Sequence, residues 1–142
     1  MNIAIGGDHA GFDLKLKVIN YLKEKGHEVQ DFGPFNTDSV DYPDFVHPLS
    51  KSIEANSNEL GILICGSGNG VCMTANKYKN IRAGLCWEPE LASLTRQHND
   101  ANVLCMPARF ITEETGLEIV KSFVDAEFEG GRHQRRVDKI SC

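Results

Sequence analysis

The chain alternates short apolar runs with longer stretches in which apolar residues recur at helical spacing. The apolar runs lie at Asn2 to Gly7, His27 to Phe32, Leu60 to Cys65, Ala83 to Cys86 and Val103 to Met106. Short runs of this kind predict strands, and their alternation with helices is typical of a parallel sheet covered on both faces. We therefore predict an α/β fold, a single-domain three-layer α/β/α sandwich with a five-stranded parallel Rossmann-like sheet.

The stretches between these runs predict the covering helices. Apolar spacing predicts one helix from Phe12 that ends before Gly26, one that reaches about Asn56, one from about Pro89 to His98, and one capped by Thr112 with Leu117, Val120 and Val124 on its buried face. Pro48 lies inside the second of these helices. Because proline lacks an N–H and its ring clashes with the preceding turn, we expect it to kink this helix or delay its start.

The position of a ligand site follows from the parallel sheet. In open parallel sheets, ligands bind outside the carboxyl ends of the strands. This rule predicts that a ligand binds at the loops Asp8 to Gly11, Gly66 to Gly70 and Trp87 to Pro89. Residues 33 to 43 are rich in Gly, Pro, Asn, Asp and Ser, which predicts a loop long enough to reach over such a site.

Composition limits the classes of function. The 142 residues suffice for one domain, which we assign to residues 1–142 with a basic C-terminal tail at about 130–142. The net charge of -5 disfavours nucleic-acid binding, and no apolar run has the length of a bilayer span or the pattern of a signal peptide. Five cysteines without close pairs argue against a disulfide framework or a zinc site. We expect a cytoplasmic protein with reduced thiols, no metal, no nucleic-acid partner and no membrane partner.

The strongest candidate for chemistry is the thiol of Cys65. It is followed by the glycines at 66, 68 and 70, in a loop whose backbone N–H groups can converge on an anion as the next helix begins. Such a place favours a thiolate that acts as base or nucleophile. The alternative is a small buried hydrophobic residue, which is what we expect of Cys72, Cys86 and Cys105.

Two other functions fit the same loop less well. Gly66 to Gly70 resembles part of a dinucleotide fingerprint, with Glu88 at about the distance of a ribose-binding acid. Against this interpretation, the motif follows the third strand, and the chain is too short for a separate substrate domain. A Cys-x5-Arg phosphatase loop is excluded because position 71 is valine.

Three further groups of polar residues have both a functional and a structural interpretation. Asp8 and His9 can face the Cys65 loop, or Asp8 can simply cap the first helix beside a solvent-facing histidine. The His98-Asn99-Asp100 segment is a polar cluster or an ordinary turn. Arg132 and Arg136 are four residues apart, so on a helix both side chains can bind one phosphate. The alternative is that they belong to a solvated basic tail. We expect no function for the remaining basic residues His27, His47, His133, Arg135 and Lys139.

Five motifs are spread along the chain in a fixed order. They are Gly-Gly-Asp-His-Ala-Gly at 6–11, Cys-Gly-Ser-Gly-Asn-Gly at 65–70, Ala-Asn-Lys at 75–77, His-Asn-Asp at 98–100 and Glu-Gly-Gly-Arg-His-Gln-Arg-Arg at 129–136. Together they resemble the ribose-5-phosphate isomerase B family, which also contains galactose-6-phosphate isomerase subunits and members acting on allose 6-phosphate. The resemblance implies an aldose-ketose isomerase of the pentose phosphate pathway that interconverts D-ribose 5-phosphate and D-ribulose 5-phosphate through an enediolate, without a cofactor.

The resemblance also implies residue roles. Cys65 is the base that takes the C2 proton and returns it at C1, and Ser67, at a position commonly occupied by threonine, moves a proton between the substrate oxygens. His98 opens the sugar ring with Asp8 as helper, and Asn99 holds the developing oxyanion. The remaining substrate and phosphate ligands are His9, Gly66, Gly68, Asn69, Gly70, Arg109, Arg132 and Arg136. Some members carry a glutamate base just after the glycine-rich loop, where this chain has Val71.

In the family these groups come from two subunits. The resemblance therefore implies a homodimer or a tetramer, in which His98 and Asn99 reach the partner's Cys65. A six-carbon sugar phosphate, either allose 6-phosphate or galactose 6-phosphate, is the alternative substrate. A non-catalytic sensor of sugar phosphates or nucleotides is the alternative from another functional class, because a fold does not fix a function.

Overall fold

A computed structural model describes residues 1–142 as five strands and six α-helices, with one 3₁₀ turn at His9–Gly11. The elements in chain order are β1 (Asn2–Gly7), α1 (Phe12–Glu24), β2 (Glu28–Asp31), α2 (Pro43–Glu54), β3 (Leu60–Cys65), α3 (Asn69–Ala75), β4 (Ala83–Leu85), α4 (Pro89–Asn99), β5 (Val103–Pro107), α5 (Glu113–Asp125) and α6 (Arg132–Val137). All strand pairs are parallel, in the order β2-β1-β3-β5-β4. The predicted five-stranded parallel sheet is confirmed.

Helices cover both faces of this sheet, as predicted. β3 is central and fully buried, and its alternate side chains point to opposite faces. Ile62 and Ile64 pack in a cluster with α1, α4 and α5, whereas Leu63 and Cys65 pack in a second cluster with α2 and α3. Cys65 is therefore part of the core, and only its position as the last residue of β3 brings it to an edge of the sheet.

Helices α2 and α5 follow the sequence-based predictions in part. Pro48 does not delay the start of α2, which begins at Pro43 and continues past Pro48 to Glu54. Pro48 and Asp44, whose carbonyl loses its partner, are both exposed, so water can replace the missing bond. Thr112 caps α5 as predicted, accepting a hydrogen bond from the Thr115 N–H at 3.1 Å. The buried face of that helix is rotated, however: Gly116, Ile119, Val120 and Phe123 are buried, whereas Leu117 and Val124 are only half-buried.

The five cysteines are free thiols. Burial raises the pKa of the Cys86 thiol to about 12 and that of Cys105 well above its usual value, so both behave as the small buried residues that we expected. Cys72 is only half-buried, and a hydrogen bond with Cys105 lowers its pKa. None of the helices combines the length and the apolar composition that crossing a membrane requires.

β1 and β3 approach each other closely at their carboxyl ends. A Cβ atom added to Gly7 or to Gly11 would overlap the backbone carbonyl of Ile64. The Asp8 N–H donates to that same carbonyl oxygen at 3.1 Å. Glycine at these two positions therefore allows the first strand to hold Asp8 and His9 against the end of β3.

Replacing Gly7 with alanine should consequently destabilise the fold by about 3 kcal/mol, because the new methyl group must push two paired strands apart. Gly6→Ala is a matched control in the same strand, since its Cβ would meet its nearest neighbour, the Gly33 carbonyl oxygen, at 3.4 Å. Urea unfolding at one fixed protein concentration measures both variants. Equal unfolding midpoints for the two would contradict the close approach.

Candidate active site

The carboxyl edge of the sheet gathers one set of predicted site residues. β1, β3 and β5 are neighbours with parallel register, so Asp8, Cys65 and Arg109 follow three adjacent strand ends. The loop at 87–89 follows β4, which is separated from β3 by β5. Two of the three nominated loops therefore meet, and the third does not lie beside Cys65.

Cys65 is held by the backbone of the glycine-rich loop. Its side chain is only 4% exposed, and its Sγ atom accepts a hydrogen bond from the Gly68 N–H at 3.1 Å. Gly68 has a φ of +74°, and a Cβ atom there would overlap the Leu85 side chain. Only glycine fits this left-handed position without strain. The Gly68 N–H therefore fixes the position of the Cys65 sulfur at the end of β3.

The rest of the loop presents exposed polar groups around the thiol. Ser67 is exposed, and its Oγ accepts a hydrogen bond from the Asn69 N–H at 3.3 Å, where α3 begins. The Arg109 N–H donates to the Gly66 carbonyl at 3.1 Å, and its guanidinium lies over Gly66, where a Cβ would be 3.1 Å from Nη1. Gly70 lies directly under the ring of Tyr42.

Asp8 has a structural role and a free oxygen. Its Oδ1 accepts hydrogen bonds from the N–H groups of Ala10 at 2.9 Å and Gly11 at 3.3 Å, so it caps the 3₁₀ turn. The interpretation of Asp8 as a capping residue is therefore confirmed for one of its two carboxylate oxygens. Its Oδ2 has no protein partner and remains available to a ligand.

His9 is oriented by the loop at residues 33–43. The Val40 N–H donates to His9 Nδ1 at 3.2 Å. A neutral ring that accepts at Nδ1 carries its proton on Nε2, which can donate to a phosphate oxygen. The same loop ends at Tyr42, which covers Gly70. The prediction that this loop reaches over the site is confirmed.

Lys15 anchors the start of that loop and was not singled out from the sequence. It is 1% exposed, and its Nζ donates to Asp31 Oδ1 at 2.7 Å and to the Pro34 carbonyl at 2.6 Å. Asp31 also accepts from the Gly33 N–H at 2.8 Å. The available signal was spacing: Lys15 shares one helical stripe with Val18, Ile19 and Leu22, all of them buried. A lysine on such a stripe needs a buried partner.

His98 and Asn99 lie at the opposite edge of the sheet. α4 starts after the carboxyl end of β4 and runs back for about 16 Å, given its residues at roughly 1.5 Å each. It ends at Asn99, and Asp100, which has a φ of +48°, follows as its C-cap three residues before β5 begins. Arg82 fixes this turn, because its Nε donates to the carbonyls of Asn99 at 3.2 Å and Asp100 at 2.9 Å.

His133 is part of this second region, which corrects our expectation of a surface bystander. Its ring stacks on His98 with the centroids 4.2 Å apart and the planes 9° from parallel, and it is 7% exposed. Its Nε2 lies 3.5 Å from Glu129 Oε2. Burial lowers the pKa of His133, and the neighbouring His98, Arg132 and Arg136 lower it further, whereas Glu129 opposes the shift.

The two predicted phosphate-binding arginines of the tail also lie in this region. Arg132 and Arg136 are on α6, which packs against the end of α4. Both are exposed, and neither forms an ion pair. Their spacing puts the two guanidinium groups on one face of the helix, where they can take an anion.

One chain therefore carries the candidate residues in two separate groups. We call the first the thiol half-site: Asp8, His9, Cys65, Ser67, Gly66, Gly68, Asn69, Gly70 and Arg109. We call the second the histidine half-site: His98, Asn99, Arg132 and Arg136. The first lies at the carboxyl edge of the sheet and the second at the amino edge, so a single chain does not bring them together.

Comparison with known proteins gives a consistent result along the whole chain. The model of a family described as ribose/galactose isomerase matches residues 3–140. A probable ribose-5-phosphate isomerase B from Mycoplasma pneumoniae is 50% identical over 139 residues, covering 97% of this chain and 91% of the relative. The ribose-5-phosphate isomerase B of Escherichia coli is 43% identical over 140 residues, covering 99% and 94% of the two chains.

The fold is shared with solved structures as well. The crystal structure of ribose-5-phosphate isomerase B from Mycoplasma genitalium with bound ribulose-5-phosphate superposes with a TM-score of 0.95. The two sequences are 50% identical, and the match covers 98% of this chain and 93% of the other. The family match at residues 3–140 spans the residues of both half-sites.

Proposed function

The chain belongs to the ribose/galactose isomerase family, and from that membership we propose that it interconverts D-ribose 5-phosphate and D-ribulose 5-phosphate. The observation that carries the proposal is the Cys65 thiol, which accepts the Gly68 N–H at the strand edge beside Asp8 and His9. This arrangement supplies a base and an anion-stabilising loop in one place. It needs no further reactant, because an aldose and its ketose have the same atoms in different positions.

The proton transfer is assigned to Cys65. In the direction from aldose to ketose, the thiolate takes the proton from C2, and the electron pair of that bond forms the C1–C2 double bond of the enediolate. Ser67 passes the O2 proton to O1. The thiol then returns its proton to C1 as the carbonyl forms at C2. Each step moves a proton between groups that lie within one half-site, so proximity supplies much of the rate.

Stabilisation of the enediolate is assigned to the loop backbone. The Gly68 N–H points at the sulfur at the start of α3, and the oxyanion role is proposed for the N–H groups from Gly66 to Gly70. Donors fixed in place before the reaction are worth about 3 to 4 kcal/mol each in oxyanion sites. Asn99 from the histidine half-site is proposed to hold the developing charge during ring opening, with His98 as the proton donor and Asp8 as its helper.

The phosphate is assigned to basic groups from both half-sites. His9 offers its Nε2–H, Arg109 lies over Gly66, and Arg132 and Arg136 are exposed without ion-pair partners. A guanidinium group can donate two parallel hydrogen bonds to one phosphate, and this geometry would fix the orientation of the sugar. The reacting carbons are thereby placed against Cys65.

We further propose that the active unit is a homodimer in which each site combines two chains. The support is topological, since α4 separates the histidine half-site from the thiol half-site of its own chain. In a two-fold dimer, each edge meets the opposite edge of the partner, and two complete sites form. A tetramer would be a pair of such dimers.

The first test is turnover of ribose 5-phosphate by the purified protein, with allose 6-phosphate and galactose 6-phosphate measured in parallel. The six-carbon substrates are included because the family covers galactose isomerases as well as ribose isomerases. We expect the highest kcat/KM for ribose 5-phosphate. A higher kcat/KM for a six-carbon sugar phosphate would mean that this sugar phosphate is the preferred substrate. No turnover of any of the three by the folded dimer would overturn the catalytic proposal.

Chelation should not reduce the activity. The proposed steps use only protein groups, so dialysis against EDTA is expected to leave kcat for ribose 5-phosphate unchanged or slightly higher. Activity before and after dialysis is compared, with metal content measured in both samples. A fall in kcat that added Zn²⁺, Mg²⁺ or Mn²⁺ restores would show that a metal takes part in the reaction.

A further inference from the structure

Three potential metal ligands come together around the end of α4. His98 lies in the last turn of that helix, Glu129 in the following loop and His133 in α6. One ligand atom from each residue lies within 4.8 Å of the others. No local pattern in the sequence indicates this cluster, because it is formed by packing of α6 on α4.

The cluster is close to the geometry that a zinc ion requires. Zinc bonds of about 2.0 to 2.2 Å in a tetrahedron place two ligand atoms roughly 3.3 Å apart. His133 Nε2 and Glu129 Oε2 are already 3.5 Å apart. The His98 ring stacks parallel to His133 rather than facing the same point. His98 is half-exposed, so its ring has room to rotate, and one of its nitrogens already lies within 4.8 Å of the other two ligand atoms.

The backbone around the cluster is fixed by hydrogen bonds. The Glu129 N–H donates to the Gln97 carbonyl at 3.1 Å, which ties the loop to the end of α4. The His133 N–H donates to the Gly130 carbonyl at 3.0 Å. Arg82 holds the turn after His98. Ligands on a rigid frame lose little conformational entropy when they bind an ion.

We propose that His98, Glu129 and His133 bind a Zn²⁺ ion and that zinc bound there inhibits the isomerase. Two imidazoles and one carboxylate form a zinc ligand set, with water as the fourth ligand. Arg132 and Arg136 are close enough to repel the ion, which points to weak, reversible binding rather than a permanent structural site. The inhibition, but not the binding, rests on the proposed role of His98.

Inhibition follows from the lone pair that zinc would occupy. A histidine that opens the sugar ring must exchange a proton at one nitrogen. Zinc bound to that nitrogen occupies its lone pair and blocks the exchange. The metal would thus act on the step assigned to His98 rather than on the proton transfer assigned to Cys65.

Binding is tested first, without reference to activity. Zn²⁺ alone is titrated into the reduced wild-type protein in competition with a chromophoric chelator, and Co²⁺ is then used to report the ligand atoms by its absorption spectrum. We expect one ion per chain and a cobalt spectrum without thiolate charge transfer. Glu129→Gln and His133→Asn should each weaken binding about tenfold or more. Glu127→Gln, an exposed carboxylate two residues from Glu129, is the matched control and should bind normally.

Inhibition is tested with the same variants. Glu129→Gln should keep the wild-type rate in the absence of zinc and should resist zinc concentrations that slow the wild-type protein about tenfold. Full zinc binding by both Glu129→Gln and His133→Asn, or a thiolate band in the cobalt spectrum, would overturn the site. Equal inhibition of wild type and Glu129→Gln would mean that zinc acts elsewhere, for example on Cys65. If no sugar phosphate turns over at all, the binding results still decide whether the site exists.

Discussion

Replacing Cys65 with alanine is expected to lower kcat for ribose 5-phosphate by about a thousandfold, the range that removal of a general base produces. The glutamate base that some family members carry just after the loop is absent here, since that position is Val71, buried in the core. Substrate affinity, measured by calorimetry on the variant, should change little, because the phosphate ligands and the loop N–H groups remain.

The same experiment separates catalysis from simple binding. Cys142→Ala, which removes an exposed thiol at the C-terminus, is the matched control and should keep the wild-type rate. Turnover that survives in Cys65→Ala would place the base elsewhere. If the wild-type protein binds sugar phosphates but neither protein turns them over, the chain is a sensor rather than an isomerase.

Mixing two inactive variants should restore activity if each site combines two chains. Cys65→Ala and His98→Asn are each expected to be severely impaired. When they are unfolded and refolded together in equal amounts, random pairing makes half of the dimers mixed. Each mixed dimer holds one site with both residues intact, so about 25% of the wild-type activity should return.

The control for this mixture is each variant refolded alone, with native mass spectrometry to count the mixed dimers. A matched second pair, Cys65→Ala with Ser67→Ala, carries both changes in the thiol half-site. Cys65 and Ser67 belong to the same half-site, so every site in these mixed dimers carries one of the two changes. The mixture should therefore show only the average of the activities that the two variants have alone. Absence of recovery in a confirmed mixed population of the first pair would place the whole site within one chain.

The strands and the thiol half-site were predictable from the sequence because local signals specify them. β3 was predicted from Leu60 to Cys65, as observed, because its apolar run ends at a glycine-rich loop. Asp8 and His9 could be placed beside that loop because parallel strands end at a common edge. These inferences need only periodicity and one rule of topology.

Contacts between distant parts of the chain were not predictable in this way. The stack of His98 on His133 depends on how α6 packs against α4, and a single sequence does not encode that packing as a local pattern. Lys15 was missed for a related reason, since its partners Asp31 and Pro34 come from another strand and loop. The rotated face of α5 shows the same limit, because the sheet and α4 decide which side of an amphipathic helix is covered.

The separation of the two half-sites has a consequence for how activity depends on the amount of protein. An enzyme whose site lies within one chain keeps the same activity per molecule at any dilution. In the proposed dimer each site needs two subunits. An isolated subunit would hold the base at one edge of its sheet and the ring-opening group at the other, so neither edge would be a complete site. Activity per molecule would therefore decline once dilution separates the subunits, so the concentration of the protein itself would set its specific activity.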